Sequence, residues 1–302
     1  MDGLLIIDKP AGMTSHDVVA RVRRILKTKR VGHTGTLDPF ATGVLVLLVG
    51  KATRLAQFVD KDEKEYEAVL HFGFETDTGD RTGTPTVESG LSNTAIAARL
   101  GGLDWNEVLS KFCGKIEQVP PMYSAKKVAG KRLYELARAG KEIDRKPVKI
   151  EIKQLEIIKD GQVSDTSSQL RLRVVCTSGT YIRTLAEDIG RHIGIGAHLT
   201  ELRRTRAGRF RLDKGVTLDE LVRLDDPSSK LLPLEVAVMH LSKFTVSKDR
   251  VEKTLNGLAT RMFTDQLTEN EYVRMVNTDQ KLIAIGVFDK ENLHVKPAIV
   301  LA

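Results

Sequence analysis

The stretch GHTGTLDPFATGVL, Gly32 to Leu45, sets one carboxylate, Asp38, among small residues, hydroxyls and one histidine, His33. Two readings compete. Aspartate before proline opens turns, because proline biases its predecessor away from the helical region. A lone acid among small residues is also a nucleophile that a large substrate can approach closely. A second stretch, SGTYIRTLAEDIG (Ser178 to Gly190), carries Arg183 between apolar and small neighbours. A guanidinium there needs a partner if its face is buried. An arginine beside an aspartate lowers the acid's pKa and fixes its rotamer. Spacing alone does not join Asp38 to Arg183.

An enzyme working on a nucleotide inside RNA needs a track for the backbone, a way to extract the base, a stacking platform and one reactive group. Aromatic stacking returns roughly 1–3 kcal/mol per base, which offsets extraction. Tyr66 is a candidate platform, Tyr181 a candidate contact, and His33 a residue that can stack or insert where the base leaves. Tyr66 reads equally well as a core aromatic of a strand. The charge supplies candidates for the track. The 302-residue chain has a net charge of +7. RVRRILKTKR (Arg21–Arg30) holds six basic residues and no acid, and RRTRAGRFR (Arg203–Arg211) holds five and no acid. Lys126–Lys149 is also strongly basic. Three such clusters fit a phosphate backbone better than one small anion, with solvated helix faces as the plain alternative.

Elements must position these groups. GLLIIDKP reads as a short buried strand ended by Pro10, after which Ser15 is expected to cap a helix. Val18, Val19, Val22, Ile25 and Leu26 share one face of that helix. GVLVLLVG is strand-sized and apolar throughout, the pattern of a central strand covered on both faces. KEYEAVLHFG is a strand. TDTGDRTGTP, with Asp77 and Asp80, reads as a polar surface loop, with a substrate-facing loop as the alternative. Asp104 with Glu107 resembles a capping box, and Thr217 with Glu220 forms another. VKIEIKQLEIIKDG and SQLRLRVVCTSG alternate and are expected to pair antiparallel around a polar tip near Gly161 to Ser168. GTYIRTLAEDIGRHIG is helical.

Composition shifts at LDDPSSKLLPL. The expected division is residues 1–230, with a basic insertion near 120–150, followed by a small β-rich module over 231–302. Strands and helices mix without regular alternation, so the class is α+β with a mixed or antiparallel central sheet flanked by helices. Other chemistries fall away. VGKAT fails the P-loop pattern at Leu45 and Ala52. GIGAHL is not a dinucleotide fingerprint, and His192 and His198 lack metal-ligand spacing. Cys113 and Cys176 are too far apart for a CxxC pair and suggest a reducing compartment. No apolar run approaches the ~20 residues of a membrane span, and MDGLLIIDKP has no signal-like flank. The protein is expected in the cytoplasm.

GLLIIDKPAGMTSHDVVARVRR, GHTGTLDPFATGVLVLLVGKATR, VPPMYSAKKVAGKRLYELARAG and SGTYIRTLAEDIG, in that order, closely resemble the tRNA pseudouridine synthase B family. The resemblance runs from about Gly3 to Leu224. It implies the pseudouridine synthase fold with a small PUA-like RNA-binding module at the C-terminus. It implies isomerisation of uridine 55 in the T-loop of tRNA to pseudouridine after base flipping. Carried over by position, Asp38 matches the catalytic aspartate and Arg183 the arginine that pairs with it. Tyr66 matches the tyrosine stacked on the target base and Tyr181 the base-contacting one. His33 matches the histidine that displaces or holds the flipped nucleotide, and Leu202, in HLTELRRTRAG, an apolar pocket residue. Lys9 and Pro10 match a motif that buttresses the catalytic loop. The basic insertion matches a segment that closes over the T-arm.

The implied reaction breaks N1–C1′, turns the base and joins C5 to C1′. Nothing is lost, so neither metal nor cofactor is expected, and one carboxylate suffices where a glycosidase uses two. The expected partner is the tRNA T-stem-loop, with no membrane and no guide RNA, and the chain acting as a monomer. Three alternatives remain at this level: an RNA-folding helper without chemistry, a guide-dependent modifier, and a nucleoside hydrolase.

Overall fold

The computed structural model describes residues 1–59, 63–124, 126–128, 130–138, 140–141, 143–158, 168–264 and 266–301. Most of the expected tip at Gly161 to Ser168, and parts of the basic insertion, lie outside the described residues.

One nine-stranded sheet organises the chain. Its strands are β1 (Gly3–Lys9), β2 (Val31–Thr34), β3 (Thr42–Val49), β4 (Lys64–Phe72), β5 (Gly114–Gln118), β6 (Val148–Ile157), β7 (Gln169–Cys176), β8 (Ala197–Ala207) and the short β9 (Phe210–Arg211). The main order is β1-β3-β8-β4-β7-β6-β5, with β2 on β3 and β9 on β8. All pairings are antiparallel except β3 with β8, so the sheet is mixed. The expected β6–β7 pair forms.

β3 is the buried central strand that its composition demands. Leu45, Leu47 and Val49 enter one apolar cluster, and Val44, Val46 and Leu48 enter another. Each such side chain, fully buried, contributes about 1.5–3 kcal/mol. β1 runs along one edge of β3 from Gly43 to Val49. The other edge is shared: Val46 to Val49 pair with β2, while Thr42 and Gly43 pair with β8. The loop carrying Asp38 emerges where β2 ends and β8 takes over.

Helix α1 (Ser15–Ile25) buries Val18, Val19 and Val22 and turns its basic residues outward. Its cap corrects the expectation. Thr14, not Ser15, accepts from Asp17, and Asp17 answers in a capping box. The pattern T-x-x-D was the stronger signal, and it frees Ser15 for a tertiary bond. Thr217 and Glu220 form the box expected of them, whereas Asp104 caps alone by accepting from Asn106 and Glu107. Helix α2 (Ile182–His192) buries Leu185, Ala186 and Ile189 and packs on β8.

A second, five-stranded sheet follows, built from β10 (Ser242–Thr245), β11 (Thr260–Arg261), β12 (Tyr272–Val276), β13 (Leu282–Asp289) and β14 (His294–Val300), in the order β10-β12-β13-β14-β11. It has its own core, with Val273, Met275, Phe288 and Val295 at 0% exposure. Val276, Leu282, Ile285 and Leu301 instead join Leu4, Ile6, Val44 and Val46 in one cluster, so this unit covers one face of β1 and β3. Tyr66 and Leu202 belong to the cluster on the other face. No helix among the described residues is long and apolar enough to cross a membrane.

Candidate active site

Side chains alternate across a strand, so Lys64 and Tyr66 of β4 share a face, as do Leu202 and Arg204 of β8. These four line one cavity with Asp38, Ser124, Tyr181 and Arg183. Its volume is about 400 Å³, within the ~300–1,000 Å³ range usual for small-molecule sites. Asp38, Arg183, Tyr66, Tyr181 and Leu202 therefore converge as the sequence led one to expect.

Arg183 opens the first turn of α2 and is nearly fully buried. Its Nε lies 3.0 Å from Asp38 Oδ2, and its Nη2 donates to Asp38 Oδ1 at 3.3 Å. The same guanidinium donates to the carbonyls of Thr78 at 2.8 Å and Tyr123 at 2.6 Å. Asp80 Oδ2 stands 3.7 Å from Nη1. One planar fork thus ties three loops together, a geometry a lysine cannot reproduce. Burial pushes the Asp38 carboxyl up, Arg183 pulls it back, and Asp80 adds to the upward push.

Asp80 corrects the reading of TDTGDRTGTP as a surface loop. The carboxylate is 4% exposed. Its Oδ1 accepts from Thr78 Oγ1 at 3.0 Å and from the Thr82 amide at 2.9 Å. The two threonines flanking Asp80 were the available sequence signal, because hydroxyls at i±2 satisfy a carboxylate that faces inward.

The Asp38 loop is braced from three sides. Lys9, fully buried, donates to the carbonyls of Pro10 at 2.8 Å and Pro39 at 3.2 Å. Burial brings its pKa down to about 8, with Asp38 opposing the fall. Pro10 is exposed and contributes only that carbonyl. Ser15 Oγ donates to the Leu37 carbonyl at 3.2 Å and accepts from the Leu37 amide at 3.0 Å. Arg204 donates to the Gly35 carbonyl at 2.8 Å and the Val44 carbonyl at 2.7 Å. Sequence reasoning missed Ser15, Lys64 and Arg204 as parts of this site.

One candidate lies apart from the cavity, and one expectation changes. His33 lies on β2 with its ring 5.2 Å from that of His16, edge to face, outside the cavity wall. The RRTRAGRFR cluster is not one exposed phosphate track. Arg204 is buried, Arg203 holds Asp8 through two bonds of 3.1 and 2.7 Å, and Arg206 pairs with Glu65 and Glu63. Only Arg209 and Arg211 face solvent freely. Among the described residues, no three His, Cys, Asp or Glu side chains gather as a metal site.

Residues 23–182 match the family model for the TruB family pseudouridylate synthase N-terminal domain, and residues 183–239 match that for the tRNA pseudouridylate synthase B C-terminal domain. The chain is 42% identical over 311 residues to the tRNA pseudouridine synthase B of Solibacter usitatus, covering all of both chains. It is 47% identical over 234 residues to that of Bordetella avium, covering 78% of this chain and 92% of the relative. Among solved structures it resembles an H/ACA RNP bound to a substrate RNA containing 2′-deoxyuridine (TM-score 0.70, 25% identity, 99% of this chain and 85% of that chain). It also resembles a Cbf5-Nop10-Gar1 complex (TM-score 0.69, 28% identity, 99% and 83%). The mixed sheet is the pseudouridine synthase fold, and pseudouridylate synthases are isomerases. The chain belongs to the TruB family of these enzymes.

Proposed function

We propose that this chain isomerises uridine 55 in the T-loop of tRNA to pseudouridine, with Asp38 as nucleophile and without metal or cofactor. The observation that carries this reading is the two-point pair of Asp38 and Arg183 inside a cavity walled by Tyr66, Tyr181 and Leu202. The cavity takes a flipped base, which Tyr66 stacks and Tyr181 and Leu202 confine. Arg183 keeps the carboxylate available and aimed. N1–C1′ breaks, the base turns, C5–C1′ forms, N1 gains a proton and C5 releases one. Lys9 and Pro10 hold the loop still, and His33, outside the wall, meets the RNA that the base has left.

The chain acts as a stand-alone monomer in the cytoplasm. Residues 1–230 form the catalytic domain. Residues 231–302 form a PUA-like module that adds RNA contact, and the basic segment near 120–150 closes over the T-arm. A guide-dependent reading draws on the likeness to ribonucleoprotein structures, but the full-length match to a tRNA pseudouridine synthase B favours direct action on tRNA.

The test is tritium release from tRNA labelled at uridine C5, with purified protein and EDTA. Release equal to one site per tRNA, abolished in Asp38→Asn while tRNA still binds, is the expected result. Turnover by Asp38→Asn would remove the assigned role. Tight binding without release by the wild type would point to an RNA-folding helper or a missing guide, and an abasic product would point to a hydrolase.

A further inference from the structure

Arg204 is 1% exposed, among the largest fully buried side chains, and among the described residues no carboxylate pairs with it. A charge so placed must spend its donors on neutral acceptors. Two are the carbonyls of Gly35 and Val44. Strand register sets a third candidate beside it. Arg204 of β8 stands directly opposite Tyr66 of β4, and direct antiparallel partners carry their Cβ atoms about 4.5–5.5 Å apart on one face. Both side chains line the cavity, and the guanidinium charge favours the Tyr66 phenolate against the burial that pushes the phenol up. Burial holds that phenol in its protonated form. A guanidinium has donors only, so in a bond between the two the phenolic oxygen accepts and its own O–H points elsewhere.

We propose that Arg204 donates its remaining N–H to the Tyr66 oxygen and is thereby a positioning residue for the reaction. Its donation to the Tyr66 oxygen turns the Tyr66 O–H toward the base, and its donation to Gly35 ties that ring to the Asp38 loop. This rests on the reading that the target base enters this cavity against Tyr66. An arginine is required because a single flat group must meet acceptors on β3, on the loop and on β4 at once. An ammonium on a flexible stem cannot hold that spread. The protonated phenol then offers an oriented donor to an oxygen of the uracil ring.

The test is a double-variant cycle on the full chain, with single-turnover rate, tRNA affinity and melting temperature measured for Arg204→Lys, Tyr66→Phe and their combination. Each single change is expected to slow the step by roughly 10- to 100-fold, as small misplacements do, with tRNA affinity unchanged. The double variant is expected to be no slower than the slower single one, an outcome that a merely structural role for Arg204 does not produce. Penalties that multiply would overturn the coupling. So would a Tyr66→Phe enzyme as fast as wild type beside an inactive Tyr66→Ala, which leaves the stacking reading standing. Wild-type rates in both Tyr66 variants would remove that reading too. If Arg204→Lys does not fold, the guanidinium N–H resonances of Arg204 in labelled protein decide the matter. They are expected to move on Tyr66→Phe, and an unchanged spectrum would overturn the proposal.

Discussion

Asp38 sits under opposed influences, and their balance is measurable. Burial and Asp80 push its carboxyl above the ordinary range, while Arg183 and Lys9 favour the charged form. A nucleophilic carboxylate works only when ionised, so the single-turnover rate should climb with pH along a limb lying above the ordinary carboxylate pKa. Arg183→Lys keeps a charge but loses the fork. The limb should then move to higher pH and the plateau should fall by at least about 100-fold; a limb that stays in place would refute the pairing. One helical turn on, Glu187 is held at about 7, chiefly by burial, with Arg191 opposing at 3.7 Å. The folded value lies above the ordinary 4.5, so the folded state binds more protons across that window and stability falls as pH rises through it. Glu187→Gln should remove that slope and stabilise the protein at pH 8 by about 1–3 kcal/mol relative to its effect at pH 5. Urea midpoints at the two pH values check this, and an equal effect at both would sink the assignment.

Three elements grip the carbonyls and amides of the loop from Gly35 to Ala41: β1 through Lys9, α1 through Ser15 and β8 through Arg204. Gly43 lets β8 come close enough for the third grip. It has φ +102°, and a Cβ there would stand 2.2 Å from the Arg204 carbonyl oxygen. Gly43→Ala should cost on the order of 2–4 kcal/mol from strain and overpacking together, read from urea unfolding, and should slow turnover by loosening Arg204. A loss below about 0.5 kcal/mol would mean that β3 and β8 part without penalty. These elements differ in how far they can be read from sequence. The apolar run of β3 and the alternation of β6 and β7 are local patterns, and all three strands form where their residues place them. Asp38 and Arg183 were legible as candidates, but their meeting depends on β8 replacing β2 along β3, a tertiary fact with no local signature. Asp80 escaped because a Gly- and Thr-rich segment has the composition of a surface turn, and only its partner, distant in sequence, reveals its burial.

Charge over the whole molecule shows the same limit with a different consequence. A net charge of +7 and two dense arginine clusters are visible in the chain, but tertiary partners decide which arginines reach solvent. Arg203, Arg204 and Arg206 are spent inside the protein, on Asp8, on carbonyls and on glutamates. Along Arg21–Arg30, by contrast, all six basic side chains are exposed. The second β unit packs on the face of the sheet away from Tyr66 and Leu202, which leaves the cavity side open to RNA. Phosphate contacts from the exposed basic segment should therefore dominate the salt dependence of binding. Each contact contributes roughly 0.7–0.9 to the slope of log K against log salt. Neutralising Arg24, Lys27 and Lys29 together should lower that slope by about 2–3, and Arg209 with Arg211 by about 1–2. Arg203→Gln should leave the slope unchanged and instead lower the melting temperature, because it strands Asp8. Titrations of tRNA binding across a salt series read all three. A slope that falls with Arg203→Gln but not with the Arg24, Lys27 and Lys29 changes would move the RNA track from α1 to β8.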